Sequence, residues 1–108
     1  MKLKVPRIAE AMVKASNEQD LKSYLACFSE NASIGDVGEA VTGKKAIADW
    51  FKNKDYEYRM EPIAVEESEE KITLNARVTG TFKGSPMNFQ LQMKLNSGLI
   101  QNLKISVI

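Results

Sequence analysis

An α+β fold is what this sequence predicts: three N-terminal helices packed on an antiparallel sheet, with residues 1–108 forming a single domain. Two observations carry the prediction. Up to Phe51 the apolar residues recur at three- and four-residue spacing, as on helices with one buried face. From Tyr56 the period changes to two, as on strands with one apolar face. A helical block followed by a strand block sorts into separate packed layers.

The elements follow in order. Pro6 suits a first helical position, where its missing N–H would be unpaired anyway. Ile8, Ala11, Met12 and Ala15 form the stripe of the first helix, and Asn17–Asp20 breaks it. Asp20 can cap a second helix by accepting from its free N–H groups, and Leu21, Tyr24, Leu25 and Phe28 supply its apolar face. Ser29–Asn31 reads as a polar turn, Ala32–Asp36 as a short strand, and Val37–Val41 as a loop. Thr42 is the expected cap of a third helix opened by Gly43, with Ala46, Ile47, Trp50 and Phe51 as its stripe and Asn53–Asp55 as its end.

In the second half Tyr56, Tyr58 and Met60 alternate with charged residues until Pro62 interrupts, which argues for an edge position or a bulge. The acidic run Glu66–Glu70 reads as a solvated turn. Ile72, Leu74, Ala76, Val78 and Phe82 form one face of the next strand. After the Lys83–Pro86 turn, Met87, Phe89, Leu91, Met93 and Leu95 form one face of another. Asn96-Ser97-Gly98 is a tight hairpin turn. The last strand carries Leu99, Gln101, Leu103, Ile105 and Val107 in one phase.

Composition narrows the chemistry. Fifteen basic against fourteen acidic residues leave a charge of +1, too small a field to gather nucleic acid or an anionic membrane. One cysteine and no histidine exclude an intrachain disulfide, the usual zinc sets, and Ser-His or Cys-His nucleophile pairs. Neither a metal nor a cofactor is expected. Met1–Arg7 lacks an apolar signal core and no apolar run approaches the length of a membrane span, so a cytoplasmic location is expected. Gly35, Gly38 and Gly43 lack phosphate-loop spacing.

The order Asn17…Asp20-Leu21, Leu25…Phe28, Asn31-Ala32-Ser33-Ile34, Asp36, Gly43…Ala46-Ile47…Phe51 resembles the nuclear transport factor 2-like superfamily, in its SnoaL-like and ketosteroid-isomerase-like branch. The resemblance covers nearly the whole chain. It implies a cone-shaped, cystatin-like fold, a curved sheet wrapped around a helix, a conical pocket and a homodimer. It does not imply one chemistry, because the fold hosts many. Compared with ketosteroid isomerase, which works by setting the pKa values of its carboxyl groups apart, Asp36 stands at the general-base position. Met12 stands where that family has its tyrosine, and Leu91 aligns with its protonated aspartate. Both oxyanion donors are therefore missing, and steroid isomerisation by that mechanism is not expected. Dehydratase-like members need histidines, which the chain lacks. For the Asp-Arg-Asp set of epoxide-hydrolase-like members, Arg77 has no accompanying strand aspartate.

Each candidate residue has two readings. Asp36 is a general base or ligand anchor, or a loop carboxylate satisfying backbone N–H groups. Met12, Tyr24, Phe28, Trp50, Tyr58, Met60, Phe89, Leu91 and Met93 line a pocket for a small apolar molecule, or fill the core. The polar face of Asn75, Arg77, Thr79, Gln90 and Gln92 meets a second copy of the chain, or water. Cys27 reads as a small hydrophobe. Three functions follow: a homodimeric binder of a small apolar metabolite, a cofactor-independent isomerase or lyase using Asp36, and an interaction module with a filled cone. A cavity of about 300 Å³ or more would separate the first two from the third.

Overall fold

The computed structural model describes residues 4–36, 39–54 and 56–108. Helix α1 spans Arg7–Glu18, α2 Leu21–Ala26 and α3 Lys44–Lys52; strands β1 to β6 span Phe28–Asp36, Glu39–Thr42, Tyr58–Ser68, Lys71–Gly80, Met87–Asn96 and Leu99–Val107. The strands form one curved open sheet in the order β2-β1-β6-β5-β4-β3. Neighbours pair antiparallel except β1 and β6, which run parallel. A parallel pair needs a long connection, and the sequence between β1 and β6 supplies one. The expected all-antiparallel sheet is thus a mixed one with a single parallel pair.

The helices cover the concave face. α1 buries Ala9, Met12, Val13 and Ser16, an i, i+3, i+4, i+7 set, while Ala11 is exposed. Of the expected stripe, Met12 and Ala15 are buried and Ile8 packs half-buried against the core, so Ala11 is its one exposed member. Pro6 sits at the N-cap, and its carbonyl accepts from the Glu10 N–H at 2.9 Å. Asp20 caps α2 as expected, accepting from the Ser23 N–H and hydroxyl at 3.2 and 2.7 Å. The α3 cap is Gly43 rather than Thr42: its φ of 90° and ψ of 151° suit a residue with no Cβ.

β1 begins earlier than Ala32. Ser29–Asn31, which reads as a turn, forms an irregular stretch of strand between the pairs Phe28↔Ile100 and Ser33↔Asn102. Gln101 spans it, close to the Ser29 hydroxyl at 2.5 Å and donating to the Asn31 carbonyl at 3.3 Å. Of the expected loop Val37–Val41, residues 37 and 38 lie outside the described residues; Glu39–Thr42 is strand β2, with Glu39 opposite Asp36. Asp55 in the expected end of α3 lies outside them too.

Pro62 meets both expectations, since β3 is an edge strand and its register shifts between Pro62 and Ala64. Asn17 at the end of α1 docks against that edge. Its amide nitrogen donates to the Met60 carbonyl at 2.9 Å, and its oxygen accepts from the Met60 N–H at 2.7 Å. In β6 the expected single phase changes midway, because a register shift lies opposite Lys94 and Leu95 and lets Ile100 and Leu103 both face the core. Phe28, Ile34, Ile47, Ile72, Leu74, Met93, Ile100 and Leu103 are the large side chains at its centre. Among the described residues no helix is long and apolar enough to cross a membrane.

Candidate functional site

The core does not fill the cone. A cavity of about 360 Å³ opens between the helices and the concave face of the sheet. α1 lends Met12 and Ser16 to its wall, α2 Tyr24, and α3 Trp50. The sheet lends Tyr58 and Met60 from β3, Val78 from β4, Met87, Phe89 and Leu91 from β5, and Leu103, Ile105 and Val107 from β6. Period-2 alternation makes this possible, since every second residue of each strand faces the same side. Asp36 reaches the wall from the last position of β1, and Lys54 from just beyond α3.

Seven of the nine expected lining residues come together here: Met12, Tyr24, Trp50, Tyr58, Met60, Phe89 and Leu91. Phe28 and Met93 do not, and the expectation for them is corrected. Phe28 starts β1 and packs its ring against Tyr24, with centroids 5.1 Å apart. Met93 is fully buried, pairs with Ile72 and Leu103 across its neighbouring strands, and is not on the cavity wall. Met12 and Leu91 both face the cavity, so the two positions matched to oxyanion donors present only apolar surface.

The polar groups on the wall are few. Tyr58 Oη and the Ser16 hydroxyl, which is itself buried, lie 2.6 Å apart and share one hydrogen bond. Tyr24 stacks on Phe51 with centroids 4.3 Å apart. Burial, then the fields of Tyr58, Cys27 and Asp36, pushes its phenol well above the ordinary tyrosine range, so it stays neutral. The Lys54 ammonium lies 3.9 Å from the Trp50 ring centroid and 6.0 Å from that of Tyr56. Burial lowers its pKa, while the fields of Asp36 and Glu39 act the other way. The Trp50 Nε1 is buried and has no hydrogen-bond acceptor among the described residues. At the mouth Tyr56 meets Tyr58 and Phe82 with centroids 6.1 and 5.6 Å apart.

The arrangement therefore joins an apolar chamber to one corner where a carboxylate and an ammonium share the wall. It has the parts to hold an apolar body with a polar end at that corner. Among the described residues no three His, Cys, Asp or Glu side chains come together as a metal site would require.

Lys54 and Ser16 escaped the sequence reading. Lys54 follows Trp50 by four residues, which puts the two on one helical face, and that spacing was the available signal. Ser16 follows Met12 by the same interval.

The expected dimer residues lie away from the cavity. Asn75 and Gln90 face each other across β4 and β5, where Gln90 donates to Asn75 at 3.3 Å and Gln92 donates to Gln90 at 3.0 Å. Arg77 and Thr79 are exposed.

A curved sheet closed by three helices over a conical chamber defines a nuclear transport factor 2-like protein. Within that class the chain belongs to the SnoaL-like domain family, whose model matches residues 9–101. A candidate polyketide cyclase from Sinorhizobium meliloti is similar over 94% of this chain and 95% of its own, with 27% identity and a TM-score of 0.89. A protein of ketosteroid-isomerase-like fold from Catenulispora acidiphila, in complex with trimethylamine, is 17% identical with a TM-score of 0.86, over 95% of this chain and 86% of its own. A nuclear transport factor 2-like protein of unknown function from Burkholderia pseudomallei is 15% identical, also with a TM-score of 0.86, over 94% and 88%. No curated protein matches the sequence.

Proposed function

We propose that the protein binds a small, largely apolar molecule inside the cone, with the polar end of that molecule at Asp36 and Lys54. The observation that carries this is the unfilled cavity of about 360 Å³, above the roughly 300 Å³ that small-molecule sites occupy. An interaction module with a filled cone would lack that space. Trp50 is the only tryptophan in the chain and lies on the wall, so its fluorescence reports occupancy. 4-Nitrotoluene is expected to quench it saturably, and Ile105→Phe, which narrows the chamber, is expected to abolish saturation. Linear collisional quenching, identical in both proteins, would refute the reading.

A second reading is favoured by the place of Asp36 on the wall: a cofactor-independent isomerase, lyase or cyclase in which Asp36 moves a proton. The similarity to a candidate polyketide cyclase supports it, because closing a polyketide ring begins with removal of a proton next to a carbonyl. The test is hydrogen–deuterium exchange at the α-carbons of 2-tetralone, followed by NMR. Wild type is expected to accelerate exchange, and Asp36→Asn to return it to the buffer rate. Equal rates in both would refute the role of Asp36.

We further propose that the chain forms a homodimer through Asn75, Arg77, Thr79, Gln90 and Gln92, an amide-rich face that can bury area while keeping its hydrogen bonds. Light scattering at micromolar concentration would contradict this by returning the monomer mass. A cytoplasmic setting suits the single buried thiol of Cys27, and cell fractionation tests it.

A further inference from the structure

Among the described residues the cavity wall carries three charged side chains, Asp36, Lys54 and Lys83. Lys83 lies exposed on the β4–β5 connection, where water and salt screen it. Lys54 is half-buried, its nitrogen resting over the Trp50 ring at 3.9 Å. An ammonium has three N–H donors, and a contact with an aromatic face uses its charge without consuming all of them. Beside it, the Trp50 indole N–H is a second buried donor that has no acceptor among the described residues. A buried donor in that state is a standing destabilisation and calls for an explanation. Elsewhere on the wall Met12 and Leu91 are apolar, the Ser16 and Tyr58 hydroxyls share one hydrogen bond, and the Tyr24 phenol is a neutral donor. Among these donors Lys54 is the half-buried cation, and the field of the Asp36 carboxylate reaches it.

We propose that Lys54 receives a carbonyl or negatively charged oxygen of the ligand, so that the site selects apolar molecules carrying such an oxygen over plain hydrocarbons. This rests on the binding reading above and names the ligand class for it. The Trp50 ring holds the ammonium at the wall, and the low-dielectric chamber strengthens its hydrogen bond to an oxygen. Where Asp36 removes a proton from a carbon next to a carbonyl, the charge that moves onto the oxygen meets Lys54. The geometry thereby fills the role left open by Met12 and Leu91 with a residue from a different element.

The test compares two probes of one shape, 4-nitrobenzoate and 4-nitrotoluene, by quenching of Trp50 at neutral pH. In wild type the carboxylate is expected to bind more tightly. In Lys54→Met the ratio of the two affinities is expected to fall about tenfold, the scale of one charge-assisted hydrogen bond. Lys54→Gln should lose the preference likewise, and Lys54→Arg should keep most of it. The affinity for 4-nitrotoluene, whose nitro oxygens are weaker acceptors than a carboxylate, should fall less than that for 4-nitrobenzoate in each variant, and a circular dichroism spectrum and melting temperature matching wild type show that the fold is intact. An unchanged ratio in Lys54→Met and Lys54→Gln overturns the role of Lys54 and leaves the binding reading standing. Absence of saturable quenching by either probe in wild type overturns both.

Discussion

Replacing Asn17 by alanine removes the clasp between α1 and the sheet edge. The Asn17 amide both donates to the Met60 carbonyl and accepts from the Met60 N–H, at 2.9 and 2.7 Å. It thereby completes the open side of an edge strand, where backbone groups otherwise lack partners. Each such bond contributes about 0.5–1.5 kcal/mol net. Losing two at a half-buried site, where water can partly replace them, should cost about 2 kcal/mol. For a domain of this size that lowers the melting temperature by roughly 10 °C. Urea unfolding followed by circular dichroism measures the loss, and an unchanged m-value confirms that both proteins unfold alike. Because Tyr58 and Met60 line the cavity, the affinity for 4-nitrotoluene should fall in the same variant. Asn17→Asp sharpens the reasoning. Its carboxylate still accepts from the Met60 N–H but faces the Met60 carbonyl, so it should be at least as destabilising at neutral pH. Its deficit should shrink as the pH falls below about 4, where the protonated acid can donate. A loss below about 0.5 kcal/mol for Asn17→Ala, smaller than one ordinary hydrogen bond, would refute the clasp.

Three further outcomes are expected. Gly80→Ala should destabilise the fold by more than about 1 kcal/mol in chemical denaturation, because the new Cβ would strike the Glu57 carbonyl and lie 2.8 Å from the Tyr58 Cα; a neutral substitution would contradict the close approach of the two strands. The raised pKa of Tyr24 means that the unfolded chain loses this proton first, so the stability it contributes is present below pH of about 10 and declines above it by up to about 1.4 kcal/mol per pH unit. Tyr24→Phe should therefore show a shallower alkaline decline than wild type, and equal slopes would refute the burial of that hydroxyl. The Cys27 thiol is buried, pushed up by desolvation, and donates to the Ser23 carbonyl at 3.4 Å, so it should react with a disulfide reagent only as fast as the protein opens; immediate labelling would contradict this.

Much of this architecture can be seen in the sequence because burial leaves a period. Leu74 and Ala76 on β4, or Ile47 and Phe51 on α3, repeat at the spacing of their element, and the change of period near Tyr56 marks the border between layers. Bulges are less visible, since one extra residue reverses the phase without changing composition. Ile100 and Leu103 face the same side for that reason, and the polar Ser29–Asn31 stays within a strand. The cavity was legible in part. Its apolar residues alternate like core residues, and no pattern says which of them touch a void: Leu91 does, while Met93 two positions later does not. Lys54 was hidden for a different reason. A lysine at a helix end reads as solvated, and only the fold shows that its nitrogen rests on Trp50 beside the chamber.

The most direct test is a high-resolution crystal structure of the protein with 4-nitrotoluene. The aromatic ring is expected inside the cone between Trp50 and Leu91, with Asp36 and Lys54 at its polar end. A cone closed by its own side chains, or density for the ring only elsewhere on the surface, would contradict the binding function.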